Sequence, residues 1–114
     1  MHELSVTENI LAIVLKEAEK VQAARVIRIE MTIGKLSGIV PDCVQFAFDV
    51  ISRGTIAEKA DLAFHQPPCE IRCRSCQITY PAEGADDVRC PRCGDMQIEI
   101  LNGRELTVDR IELE

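Results

Sequence analysis

Apolar residues near the start of the chain recur with the period of a helix. Between residues 10 and 21 they return every three or four positions, at Ile10, Leu11, Val14, Leu15, Ala18 and Val21. This spacing predicts a helix over about residues 6–23. Ser5 and Glu8 stand ahead of it in the form of a capping box, which leaves residues 1–4 as a short extended lead-in.

The segment after this helix alternates between apolar and polar residues. Ile27, Ile29, Met31 and Ile33 share one parity, while Arg28, Glu30, Thr32 and Gly34 share the other. A period of two predicts a half-buried strand over residues 26–36. Pro41 suits the first position of a second, strongly apolar helix that stops near Gly54. A third extended segment covers residues 62–66.

The carboxyl half changes character. Residues 69–95 hold five cysteines and little aliphatic bulk, so we expect this part to bury little core. Two further strands are predicted over residues 96–101 and 104–113, and Asn102-Gly103 between them is typical of a type I′ hairpin turn.

The last of these strands changes phase part-way along. Its apolar residues before the change are Leu106 and Val108, and those after it are Ile111 and Leu113. A bulge near Asp109-Arg110 would produce this change of parity. We therefore expect the strand to begin in the cysteine-rich part of the chain and to end in the main sheet.

The composition of the 114-residue chain limits its partners. A hydrophobic fraction of 46% is enough for folding, and the formal net charge of -6 disfavours binding to nucleic acid or to an anionic membrane. The longest aliphatic run, residues 10–15, is too short to span a bilayer. The amino terminus has no signal-peptide pattern, so we expect a cytoplasmic protein whose thiols stay reduced.

Four of the six cysteines form two pairs, Cys73/Cys76 and Cys90/Cys93, in the pattern CxxC–x13–CxxC. Two thiolates from each pair can converge on one ion, and four thiolates favour tetrahedral zinc. Because protein fills all four positions, such a zinc ion is structural, and its binding energy replaces a missing core. Two disulfides or a redox dithiol are the alternatives.

The remaining two cysteines fall outside this pattern. Cys69 is predicted to be a spare thiol, and Cys43, on the apolar second helix, to be a small core residue. Four-cysteine knuckles also occur in zinc ribbons that bind nucleic acid. Here residues 69–94 hold four arginines, four acidic residues and a single aromatic residue, Tyr80, which is little for stacking or for binding phosphate.

The chain begins Met1-His2-Glu3, and its only other histidine is His65. A terminal amine, the next backbone amides and an imidazole form a nitrogen-rich set that suits square-planar Ni(II) or Cu(II). The amine, the His2 side chain and the amides of His2 and Glu3 are candidate ligands, with the Glu3 carboxylate as an extra or exchanging ligand. The alternative is an incidental histidine. We expect His65 to be a solvated edge residue, because its parity is opposite to that of Phe64.

Taken together, these features resemble the hydrogenase maturation nickel metallochaperones (HypA/HybF) over essentially the whole chain. The resemblance rests on the start Met1-His2-Glu3-Leu4-Ser5, the strand from Arg28 through Gly34-Lys35-Leu36, Phe46-Ala47-Phe48 in the second helix, and the four knuckle cysteines. It implies a nickel site at Met1, His2 and Glu3 and a zinc site at Cys73, Cys76, Cys90 and Cys93. It also implies delivery of nickel to the large subunit of nickel-iron (NiFe) hydrogenase with a nickel-binding GTPase, and in some bacteria service to urease maturation.

Two places depart from the family pattern. Some members carry histidines just after the knuckle cysteines, where this chain has Gln77-Ile78 and Gly94. A pH-dependent or nickel-dependent change at zinc is therefore not implied. Some members also carry an acidic residue in the turn before the second helix. Here Asp42 is the candidate to support the nickel ligands, and its alternative role is a favourable charge at the helix amino terminus.

The expected architecture is α+β, with two helices on one face of a small mixed β-sheet and an inserted zinc-ribbon-like four-cysteine module. The predicted domains are residues 1–68 with 104–114, and residues 69–103. A nickel carrier with no reaction of its own is the leading function, and a zinc-ribbon adaptor for protein or nucleic acid is the alternative. No nucleophile–base pair, phosphate loop or open metal site predicts an enzyme. Apolar residues such as Ile13 and Val50 lie off the main helix faces and leave open a monomer or a weak homodimer.

Overall fold

The computed structural model describes residues 3–82 and 88–114. These residues form two helices and two three-stranded sheets. In chain order the elements are α1 (Glu3–Lys20), β1 (Val26–Ile33), α2 (Pro41–Ile51), β2 (Asp61–His65), β3 (Cys69–Cys73), β4 (Thr79–Ala82), β5 (Ile98–Ile100) and β6 (Leu106–Leu113). Met1 and His2, two of the predicted nickel-binding residues, lie outside the described residues.

The first sheet is mixed and carries both helices. Its strand order is β2-β1-β6, with β1 parallel to β2 and antiparallel to β6. Ile29, Met31 and Ile33 of β1 are fully buried, and they share one core cluster with Val14 of α1 and Phe48 of α2. The alternation of β1 therefore places its apolar side against the helices, and the predicted α+β class is confirmed.

The first helix begins earlier than its pattern predicts. It starts at Glu3. The predicted capping box at Ser5 and the predicted extended conformation of Glu3 and Leu4 are therefore wrong. A tertiary contact holds this first turn, because the Glu3 carboxylate accepts a hydrogen bond from the Val40 amide at 3.2 Å. Local sequence alone does not reveal a partner that lies 37 residues away.

The same helix also ends earlier, at Lys20 rather than near residue 23. Gln22 adopts a left-handed φ of 54°, and the Ala23 amide donates to the Ala18 carbonyl at 3.0 Å. This bond is typical of a Schellman motif, in which the residue after the helix reverses the chain.

The first strand is shorter than predicted, since it ends at Ile33 instead of residue 36. Beyond it, the Gly34 amide donates to the Glu105 carbonyl at 2.7 Å and the Leu36 amide donates to the Gly103 carbonyl at 2.6 Å. Gly34 is buried, and a Cβ there would lie 2.7 Å from the Glu105 nitrogen. Only glycine fits this approach of two backbone segments.

The alternation of β1 also fails at its start. Ile27 is 38% exposed, while Val26 beside it is buried. A register shift against β6 between Val26 and Arg28 explains the difference, because it changes which side chain faces the core.

The predicted hairpin at the carboxyl end is wrong. β5 pairs with β3 in the second sheet, whereas β6 pairs with β1 in the first, so these two strands belong to different sheets. β6 also begins in the first sheet, with Leu106 opposite Ile33, and not in the cysteine-rich part. Asn102 secures the connection instead, since its side chain accepts from the Glu70 amide at 2.6 Å and donates to the Pro68 carbonyl at 3.1 Å.

The bulge in β6 lies where the change of parity predicts it. Glu30 pairs with Arg110, and the next residue of β1, Met31, pairs with Val108. Asp109 is therefore the extra residue of the bulge. The strand ends in the main sheet, as expected.

The second sheet has the order β4-β3-β5 and a small core of its own. Its buried residues are Cys69, Ile71, Cys73, Tyr80, Ala82 and Cys90. Leu36, from the loop after β1, packs against this cluster. The cysteine-rich part thus buries a modest core, and three of its six members are cysteines.

The second helix begins at Pro41, as predicted, but Cys43 is exposed, so its placement in the core is wrong. Val44 and Phe48, four residues apart on one face, are the buried residues of this helix. Phe46 lies on the opposite side and is 74% exposed. The helix is apolar around much of its circumference, so hydrophobicity alone does not identify its inner face.

Candidate metal centres

The two cysteine pairs lie on turns of matching geometry. In the first turn the Gln77 amide donates to the Cys73 carbonyl at 2.8 Å, and in the second the Gly94 amide donates to the Cys90 carbonyl at 2.8 Å. Gln77 and Gly94 both adopt left-handed φ values, 59° and 71°. The two knuckles therefore have the same backbone conformation. Only the second has a glycine at the left-handed position, where the absence of a Cβ removes the steric cost.

The four thiol sulfurs of these turns converge on one point. All of them lie within 4.8 Å of one another, with Cys73 Sγ 3.6 Å from Cys93 Sγ and Cys76 Sγ 4.0 Å from Cys90 Sγ. Sulfurs placed about 2.3 Å from a tetrahedral zinc ion are about 3.8 Å apart. The donor set and its spacing therefore fit zinc, and the four residues are the ones that the sequence pattern predicts.

Sulfurs this close shift one another's pKa values in opposite directions. The hydrogen bond with the Cys93 thiol, together with burial, raises the pKa of Cys76 to about 12. At Cys90 burial acts to raise the pKa, but hydrogen bonds from the amides of Cys93 and Arg92 help to lower the pKa to about 7. One thiol ionises readily while its neighbour keeps its proton. A divalent cation removes this conflict, because it stabilises all four as thiolates.

Asp95 joins the two knuckles. Its carboxylate accepts hydrogen bonds from the Ser75 hydroxyl at 2.5 Å and from the Gln97 amide at 3.1 Å. These bonds, the Ser75 bond first, hold the pKa of Asp95 below its usual range. Sequence reasoning missed this pair. The available signal was a serine inside the first CxxC and an aspartate just after the second.

Of the residues predicted to bind nickel, only Glu3 lies in the described part of the chain. Its hydrogen bond to the Val40 amide places the start of α1 against the amino end of α2. Asp42 lies in the first turn of α2, two residues after Val40, and is exposed. The structure thus brings Glu3 and the segment that carries Asp42 to the same end of the first sheet's helices.

The other two candidate residues lie elsewhere. His65 is exposed on the edge strand β2, as predicted. Cys69 is buried outside the four-sulfur cluster, and its thiol donates to the Asn102 carbonyl at 3.2 Å. Burial, with a smaller effect of the Glu105 charge, raises the pKa of Cys69, so this thiol packs as a neutral side chain.

Comparison with known proteins assigns the family. The model of a family described as hydrogenase/urease nickel incorporation metallochaperone HypA matches residues 1–113. The chain belongs to the HypA family. Hydrogenase maturation factor HypA of Dehalococcoides mccartyi is 39% identical over 114 residues, which cover 100% of this chain and 95% of that protein. The HypA proteins of Geobacter sulfurreducens and a Nostoc species are 38% and 42% identical, with 100% and 96% of their lengths covered and 100% of this chain in both.

Solved HypA structures share the fold. The solution structure of the Ni metallochaperone HypA from Helicobacter pylori aligns with a TM-score of 0.64 at 24% identity, over 99% of this chain and 97% of that one. A second HypA solution structure aligns with a TM-score of 0.70 at 24% identity, over 100% and 97%. At this identity the likeness concerns the fold, while the sequence matches carry the family assignment.

Membership in the HypA family places the chain in nickel incorporation and hydrogenase maturation, and therefore with that maturation machinery. The four-cysteine cluster adds the donor set of a structural zinc site. In residues 3–82 and 88–114, no helix has the length and apolar character needed to cross a membrane.

Proposed function

We propose that this HypA protein carries Ni(II) at its amino terminus and delivers it to the hydrogenase metal centre. The proposed ligands are the Met1 amine, the His2 imidazole and the backbone amides of His2 and Glu3. These nitrogens form the set that square-planar Ni(II) favours. The family match that begins at residue 1 supports the assignment, because it includes this opening segment.

The contact between Glu3 and Val40 is the structural observation that carries the proposal. A carboxylate at the amino end of a helix is favourable, because that end has exposed N–H groups and a partial positive charge. The bond anchors the first turn of α1 on α2. The proposed ligands therefore adjoin Glu3, a residue that is itself anchored at the amino end of α2. Exchange of the Glu3 carboxylate between Val40 and nickel would couple loading to this contact, with Asp42 as a nearby supporting carboxylate.

The zinc site has a different role in this proposal. Cys73, Cys76, Cys90 and Cys93 hold Zn(II), which supplies folding energy and no reaction. The protein is then a carrier without catalysis. Its partners are a nickel-binding GTPase and the large subunit of nickel-iron hydrogenase, with urease maturation proteins where these exist, and it acts in the cytoplasm.

We also propose that the two sheets correspond to two domains. Residues 1–68 with 104–114 form the nickel domain, and residues 69–103 form the zinc module. The separate strand orders and separate core clusters of the two sheets support this division.

A Ni(II) titration of the zinc-loaded, tag-free chain tests the nickel site. We expect one nickel ion per chain, followed by calorimetry and by absorption in the visible range. His2→Ala should lose this binding, and so should a variant with one glycine added before Met1, because the added residue displaces the amine. Binding should weaken as pH falls, since the imidazole and the amine must be deprotonated to bind.

His65→Ala is the matched control, because it removes the only other histidine from an exposed edge strand. It should bind nickel like the unaltered chain. Equal binding by all four proteins, or binding by none, would contradict the proposal. A zinc-ribbon adaptor with an incidental His2 would then be the better interpretation.

A further inference from the structure

β6 offers an open edge for another strand. In the described sheet β2-β1-β6 it pairs with β1 on one side only. Eight residues of strand are about 27 Å long. The backbone groups along such an edge are a template for pairing with another chain.

An apolar groove runs beside this edge, between β6 and α1. Part of it encloses about 170 Å³ next to Ile10, Ile13 and Val108. Ile13 is 49% exposed, and Val21, further along the groove, is 65% exposed. Glu17 also lines the groove, but it is paired with Lys20 of the same helix at 3.1 Å. The core-facing residues of β6 are themselves only partly buried, so a strand added at this edge would cover them.

The bulge makes β6 complementary to a second copy of itself. Leu106 and Val108 before the bulge and Ile111 and Leu113 after it all pack toward the same core. Consider an antiparallel pair of β6 strands whose two-fold axis passes between Asp109 and Arg110. In that register Leu106 faces Leu113 of the second copy, and Val108 faces Ile111 of the second copy. All of these side chains then lie on the helix-covered side of the joined sheet.

A regular strand could not form this pairing. Without the extra residue, a centre between positions 109 and 110 would match each core-facing side chain with a solvent-facing one. With the bulge, shifting the register by two residues in either direction sets a charged residue opposite an apolar one. One register therefore pairs all core-facing residues of β6 with core-facing residues of the second copy.

The charges at the centre of this register are also complementary. Asp109 and Arg110 both project from the solvent-facing side, where Asp109 accepts from Thr32 at 2.5 Å and Arg110 lies 3.7 Å from Glu30. The two-fold axis places Asp109 opposite Arg110 of the second copy, and this pair occurs twice. Opposite charges directly across an antiparallel pair stabilise it, whereas like charges destabilise it.

We propose that two copies of this chain associate through β6, in the register centred between Asp109 and Arg110, to form a six-stranded sheet. The two-fold axis stands perpendicular to the sheet, so Ile13 and Val21 of both copies lie over the junction. Charged residues and bulges at an edge can also serve to prevent pairing. Here the two charges are adjacent and opposite in sign, so that they attract a second copy in the one register that matches the apolar residues.

Sedimentation equilibrium of the zinc-loaded full chain over a wide concentration range tests this interface. The unaltered chain should associate to a dimer. Asp109→Arg and Arg110→Asp should each weaken the dimer about tenfold or more, because each replaces two opposite-charge pairs with two like-charge pairs. The double variant D109R/R110D should recover the dimer. Asp61→Arg, on the opposite edge of the same sheet, is the matched control and should dimerise normally.

Mixing the two single variants separates pairing from local damage. Asp109→Arg loses the hydrogen bonds from Thr32 and Thr107, so a weakened dimer alone could reflect a disturbed strand. In the mixture, each charge of one variant again faces its opposite in the other, and a heterodimer should form. A monomeric unaltered chain at every concentration, undiminished dimers in both single variants, or no heterodimer from the mixture would each overturn the proposal.

Discussion

The two sheets of this protein are stabilised in different ways. Among the described residues, the first sheet shares a core of thirteen buried residues with its helices, including Phe48 and four β1 side chains. The second sheet has a core of six, and half of them are cysteines. Two of those cysteines also belong to the four-sulfur cluster. One region is therefore held by apolar burial, and the other has the donor set for a metal ion whose binding energy would supply what its core lacks.

Removal of zinc should produce the largest difference between the two regions. Structural zinc sites contribute about 10–16 kcal/mol of apparent binding energy. Chelation, or the buried substitution Cys73→Ser, should therefore unfold the second sheet while the first stays folded. Hydrogen exchange followed segment by segment should show rapid exchange in β3 and continued protection in β1.

Cys43→Ser is the control for this experiment, because Cys43 is exposed and outside the cluster. It should leave the zinc content and the exchange of both sheets unchanged. Equal loss of protection in β1 and β3 after chelation would show that the regions fold as one unit.

Truncation of the first core should have the next largest effect, in the opposite region. Phe48 is 0% exposed, and Phe→Ala in a core costs about 3–5 kcal/mol. Phe48→Ala should lower the free energy of unfolding by that amount in a denaturant titration. Zinc affinity should stay the same, because the four thiols lie outside the first core.

Phe46→Ala is a close control, since Phe46 is in the same helix but 74% exposed. A surface substitution usually changes stability by less than about 0.5 kcal/mol. If both variants were destabilised equally, the inner face of α2 would be misassigned.

The smallest predicted effect concerns the polar side of the first sheet. Hydrogen bonds from Thr32 and then Thr107 hold the pKa of the Asp109 carboxyl below its usual range. A lowered native pKa favours the folded state above the unfolded pKa, and this contribution is lost as pH falls through the native value. Thr32→Val should move the Asp109 pKa back toward the ordinary aspartate value, and an NMR carboxyl titration measures it.

Thr107→Val should move the same pKa by less, because the Thr107 bond is the second contribution. An unchanged Asp109 titration in Thr32→Val would contradict this ordering. The effect belongs to an exposed surface, so it should leave zinc binding untouched.

Patterns that depend on nearby residues were predicted well from the sequence. The spacing of Cys73, Cys76, Cys90 and Cys93 identified the sulfur cluster, because a CxxC turn sets its own geometry. The change of parity in β6 located the bulge at Asp109. In both cases the physical cause lies within a few residues of the signal.

Features that depend on distant contacts were missed. Asn102-Gly103 has the residues of a hairpin turn, but its flanking strands find partners in β1 and β3 instead of each other. The start of α1 is set by a hydrogen bond to Val40, not by a local cap. Cys43 was placed in the core because α2 is apolar on several sides, and only packing against the sheet selects the inner one.

The close approach at Gly34 has a consequence for the reach of the whole molecule. The chain passes between the two sheets at residues 66–68 and again at 102–105. These two connections alone would allow one sheet to rotate relative to the other. The hydrogen bonds from Gly34 and Leu36 to the second connection, with Leu36 packed against the core of the second sheet, add a third link between the sheets. These contacts fix how the two sheets are spaced along the longest dimension of the molecule, which is 55 Å. A partner that contacts both the helices and the cysteine turns must therefore match the distance that these contacts set between them.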